Sequence, residues 1–191
     1  MVQILSFLTF FERAILGLGL LAGWGLLLPI IFFRFFDIVA KHHFDPPSRF
    51  IQVIEWDAFY ALIFIALAFG YLRDGHARID ILRDKFSPRL KAWVEIWGVL
   101  LLLFPFCILV IVWGLDYVVT NYANHDTWWP PGVNLWAKKA FVPFGIGLLA
   151  LAGFLVLVRN IIFLVTDRGG VAPERPMEMD DHEREPGGRY G

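Results

Sequence analysis

Four long apolar stretches, at residues 14–36, 53–72, 93–119 and 141–165, leave most charges at their ends and in the gaps between them. Each holds the ~20 apolar residues needed to cross a hydrocarbon core about 30 Å thick. Lipid offers no water to an unpaired backbone group, so each crossing is expected to be a helix. The expected fold is an all-α integral membrane protein with four transmembrane helices. Short gaps leave no room for a second folded unit, so residues 1–166 are read as one four-helix domain. Residues 167–191 are rich in Gly, Pro, Glu, Asp and Arg. They have too little apolar surface to fold, so a disordered cytoplasmic tail is expected.

Composition narrows the function classes. The chain is 58% hydrophobic and its net charge is −1, which offers nothing to a polyanion, so no nucleic-acid partner is expected. The single cysteine, Cys107, lies within the third stretch and reads as a small buried hydrophobe. The segment before residue 14 carries Glu12 and Arg13 but no basic n-region, and the apolar run after it is too long for a signal core. The first stretch is therefore expected to be a retained span.

Loop charge sets the expected orientation. One set of alternate segments carries Arg13; Arg73, Arg78, Arg83, Lys85, Arg89 and Lys91; and Arg168, Arg175, Arg184 and Arg189. The other carries Lys41, Arg49, Lys138 and Lys139. Eleven against four places both termini and the second loop in the cytoplasm. Tryptophans agree with these boundaries: Trp56, Trp113, Trp128, Trp129 and Trp136 fall near the outer interface, and Trp93 and Trp97 near the inner one.

Local signals add detail. Gly19 and Gly23 form a small-xxx-small pair, suited to packing within the bundle or against another subunit. Pro29 and Pro105 mark expected kinks. Arg34 and Asp37 share a helical face near the outer end, with Glu55, Asp57 and Asp116 at a similar depth. Structural charge pairing is expected there; an ion pathway is the alternative. Asp74-Gly75 is a turn signal ending the second helix. Ser87-Pro88 reads as a helix start, and Leu90, Trp93, Val94 and Trp97 follow on one face. A short interfacial amphipathic helix is expected there, leading into the third span. Trp128-Trp129-Pro130-Pro131-Gly132 suggests a stiff outer loop that anchors at the interface or docks an extracytoplasmic partner. Around Pro143, the residues Gly145, Gly147, Ala152 and Gly153 offer close packing to the fourth helix.

Catalytic patterns are missing from the sequence. His42, His43, His76, His125 and His182 lie in loops or the tail, which disfavours haem between helices. No clustered Cys/His pattern or phosphate loop occurs, so neither cofactor nor metal is expected. The spans offer no nucleophile with a positioned base, and the chain is not expected to be an enzyme.

The segment Gly75-His76-Ala77-Arg78-Ile79-Asp80-Ile81-Leu82 is similar to the Gly-His-Val-Arg-Val-Asp-like signature that follows the second span in one family. These are the small membrane subunits of tripartite ATP-independent periplasmic (TRAP) transporters, the DctQ-like small permeases. Four spans, inside termini and Pro143-Phe144-Gly145 at the last helix match as well. The resemblance covers roughly residues 8–166. It implies a subunit of a secondary transporter in a bacterial inner membrane, with both termini cytoplasmic. The implied partners are a large multi-span subunit carrying the substrate and ion sites, a periplasmic substrate-binding protein, and membrane lipids. The solute is often an organic acid in that family. No catalytic or substrate-binding residue transfers. Gly75, His76, Arg78 and Asp80 transfer as structural or subunit-contact positions, beside Gly19, Gly23, Trp128, Trp129, Pro143 and Gly145 as candidate subunit or lipid contacts. A membrane anchor of a redox complex is the alternative.

Overall fold

In the computed structural model, the described residues are 2–43, 49–73, 86–128 and 133–166. They form four long helices. The first consists of α1 (Val2–Ala22), a π-turn (Gly23–Leu27) and α2 (Leu28–His43). The second is α3 (Arg49–Leu72). The third consists of α4 (Pro88–Gly98), a π-turn (Val99–Leu103) and α5 (Phe104–Ala123). The fourth is α6 (Leu135–Thr166). All four are long and apolar enough to cross a membrane, over Ser6–Val39, Gln52–Leu72, Pro88–Ala123 and Leu135–Thr166. The tail, residues 167–191, and the Gly75–Leu82 signature lie outside the described residues.

Both π-turns have the same local cause. A proline ring clashes with the carbonyl four residues back and leaves no N–H to bond it. For Pro29 that carbonyl belongs to Gly25, and for Pro105 to Leu101. Both carbonyls fall inside the widened turns, where the extra residue per turn makes room. The expected kinks therefore take the form of π-turns placed just before each proline.

Ser87 caps α4 as its sequence predicts: the backbone is extended there, and the hydroxyl accepts from the Leu90 N–H at 3.4 Å. Pro88 follows in the first turn, where no N–H is needed. The amphipathic stretch then runs without a break through Gly98, which stays helical, into the third span. Leu90, Trp93, Val94 and Trp97 are all exposed, while Ala92, Ile96 and Val99 face the bundle. The continuous helix has 36 residues, about 54 Å at 1.5 Å per residue, so it must tilt or protrude from the bilayer.

The fourth helix is the hub. Half of its span is buried, against about a fifth for each of the others. One core cluster joins Leu8, Ile15 and Leu16 of α1 and Ala68 and Leu72 of α3 to Ala152, Leu155 and Val156 of α6. Two others join Ile96, Val99 and Cys107 of the third helix to Leu157, Ile146 and Leu149. Outward-facing side chains such as Trp24, Phe35, Leu102, Trp113 and Val165 remain exposed. An apolar exterior on this scale belongs in lipid or against a partner.

The third helix closes with a Schellman motif. The Asp126 N–H reaches the Asn121 carbonyl and the His125 N–H reaches that of Tyr122. His125 sits at φ 51°, the position usually given to glycine. A two-residue antiparallel ladder follows, pairing Thr127 with Asn134 and Trp128 with Val133. A side chain at positive φ costs on the order of 1 kcal/mol, so His125→Gly is expected to hold or raise thermal stability and His125→Val to lower it. Thermal unfolding in detergent reads both.

Candidate functional site

The functional geometry here consists of contacts between helices, and glycine governs the closest of them. A Cβ on Gly145 would collide with Phe64 of α3, including the Phe64 carbonyl oxygen at 2.9 Å. At Gly153 it would collide with the Leu103 side chain. Pro143 is buried inside α6, with its ring opposite Gly114 of α5, where a Cβ would stand 3.5 Å away. Gly147 has no atom of another helix within 4 Å of where a Cβ would stand.

The Gly19–Gly23 pair divides. Gly19 is occupied from within the bundle: a Cβ there would collide with the Phe69 ring and stand 2.7 Å from the Phe69 Cβ. Gly23, like Gly17 and Gly25, faces open space. The four-residue spacing put them on one side of the helix, yet Gly23 lies in the first π-turn, where the helix is rewound.

Ion pairs tie different helices together. At one end, Arg159 of α6 meets Glu12 of α1, Nη2 to Oε2 2.8 Å, and the same nitrogen donates to Thr9 Oγ1 at 3.5 Å. Both charged side chains are largely buried. At the opposite end, Arg34 of α2 holds Glu55 of α3, Nε to Oε1 2.9 Å, and lies 3.8 Å from Asp37. Lys138 of α6 pairs with Asp57 of α3 at 3.2 Å. The expected pairing among Arg34, Asp37 and Glu55 is thus present, and Asp57 pairs with a lysine instead.

The Arg159–Glu12 contact was not read from the sequence. Its signal was an arginine inside an apolar run, which demands a partner, and Glu12 is placed at the same end of an antiparallel helix. Among the described residues, no group of three His, Cys, Asp or Glu side chains could hold a metal ion. Gly75, His76, Arg78, Asp80 and Trp129 lie outside the described residues. The Trp128 backbone belongs to the short ladder.

A family model described as "Tripartite ATP-independent periplasmic transporters, DctQ component" matches residues 30–162. The chain belongs to this family. The match spans more than half of the sequence, from the second half of the first helix almost to the end of α6. Comparison with curated proteins and with solved structures gave no match. The DctQ-family chain is therefore a multi-pass membrane protein and the small membrane component of a TRAP-type transporter. Its helix contacts and ion pairs are the parts of a transporter subunit.

Proposed function

We propose that this DctQ-family chain is the static, non-catalytic scaffold of its transporter. It would anchor the large membrane subunit in a bacterial inner membrane during ion-coupled uptake of a solute, an organic acid in this reading, delivered by a periplasmic binding protein. The observation that carries the proposal is the latching of helices at both ends. Arg159–Glu12 ties α6 to α1, Lys138–Asp57 ties α6 to α3, and Arg34–Glu55 ties α2 to α3. Such a body resists internal motion, which a frame for a moving partner requires. Exposed Trp93 and Trp97 near one end, and Trp56 and Trp113 near the other, would hold its height in the bilayer. The family match favours this reading over a redox anchor.

Purification of the tagged chain in a mild detergent tests it, with mass spectrometry of its companions and an absorption spectrum. A large multi-span partner without a haem Soret band supports the scaffold; a Soret band or a redox partner sinks it. The open glycine refines the surface. Gly23→Leu leaves the bundle intact and is expected to weaken capture of the large subunit, whereas Gly19→Leu must displace Phe69 and lower the stability of the chain itself. Unchanged capture by Gly23→Leu would remove this face from the interface. For the second loop we propose an Arg78–Asp80 charge pair. Its test is a double-mutant cycle on transport: strictly additive losses for Arg78→Ala and Asp80→Ala would exclude the pair.

A further inference from the structure

A groove of about 870 Å³ opens between the first turns of α3, the last turns of α5 and the first turns of α6. These three segments meet at the same end of the bundle. Val53, Trp56 and Val142 give it apolar walls, and Gly114 contributes no side chain to its surface. Lys138 and Lys139 both line it. Each lies over an aromatic ring: Lys138 Nζ is 5.2 Å from the centroid of Tyr60, and Lys139 Nζ is 3.7 Å from that of Tyr117.

The charges in the groove do not cancel. Lys138 is matched by Asp57 at 3.2 Å. Lys139 has the Tyr117 ring as its partner and, among the described residues, no carboxylate within ion-pair distance. One positive charge is therefore left over beside an apolar trough, at the depth where Trp and Tyr sit between hydrocarbon and water. A ring face takes up one side of an ammonium, and its remaining N–H donors stay available to an anion.

We infer that this groove binds one anionic glycerophospholipid, with its headgroup phosphate on Lys139 and the upper parts of its chains along Val53, Trp56 and Val142. A neutral lipid would have no use for the surplus charge, and a free anion none for the apolar walls. The volume lies within the ~300–1,000 Å³ of small-molecule sites, enough for a headgroup, glycerol and the first part of the chains. A basic pocket between membrane helices is a known form of headgroup recognition. The inference depends on the bundle lying in a membrane and is independent of the scaffold role.

The test uses the full chain, delipidated in mild detergent. Phosphatidylglycerol, diacylglycerol with the same chains, and inorganic phosphate are titrated separately, with native mass spectrometry counting the retained molecules. One phosphatidylglycerol is expected to be retained, with weak retention of the other two. Lys139→Gln is expected to weaken retention about fivefold, the loss of one lysine–headgroup attraction. Lys139→Arg is expected to restore it. Equal retention of diacylglycerol, or unchanged phosphatidylglycerol retention by Lys139→Gln, would overturn the site. So would a Lys139→Gln chain that keeps its lipid but loses the co-expressed large subunit, since the groove would then be a protein interface.

Discussion

Glu12→Ala is expected to cost about 3–5 kcal/mol of stability, the usual result of removing one partner from a buried ion pair. The substitution leaves the guanidinium of Arg159 inside the bundle with Thr9 as its remaining partner among the contacts described above. An unpaired charge there must be hydrated by distorting the helices or by drawing water between them. Arg159→Ala should also destabilise the chain, because Glu12 then loses its 2.8 Å ion pair with α6. Replacing both residues by leucine should be far milder, because neither charge is then left without a partner. A double-mutant cycle on thermal unfolding in detergent measures the coupling. If either single substitution unfolds at the wild-type temperature, the pair does not lock α1 onto α6. In the intact transporter, the single substitutions should also reduce uptake, since α1 would lose its register on the central helix.

Gly145→Ala should weaken the bundle through a different cause. The added methyl has no space, because it would meet the Phe64 Cβ and the Phe64 carbonyl oxygen, and a backbone atom cannot turn aside as a side chain can. The α3 and α6 helices must separate, a change that typically costs about 1–3 kcal/mol in a packed core. Dispersion contacts along the rest of that seam loosen as well. Gly147→Ala, two residues along the same helix, meets nothing within 4 Å and should hold or raise stability. The contrast controls for helix propensity, which favours alanine over glycine equally at both sites. Matched melting temperatures for the two variants would show that the close approach at Gly145 has no energetic weight.

The pair of substitutions marks the boundary of what a linear reading finds. Gly145 and Gly147 are both small residues on an apolar helix, and nothing local separates them. Arg34 and Asp37 were readable as partners because three residues on a helix bring them to one face. Glu55 joins them from another helix, and similar depth alone was enough to nominate it. Arg159 and Glu12 are far apart in sequence, and their meeting depends on which helices adjoin. The phosphate-seeking lysine was hidden for a related reason. Lys138 and Lys139 are adjacent and looked alike, but Asp57 takes only the first.

The sequence by itself determined the number of helices, their membrane crossing, the Ser87 cap and the positions of the proline distortions. Each of these follows from free energies that act over one to six turns of chain: transfer of an apolar run into lipid, satisfaction of a helix end, and the missing proline N–H. Only the tertiary structure decided that α6 is the hub, that Gly19 faces Phe69 while Gly23 stays open, and that Arg159 meets Glu12. Those outcomes depend on the rotation of each helix about its axis and on its neighbours. In lipid, where all apolar faces are nearly equivalent, small differences in close packing and a few buried charges settle both.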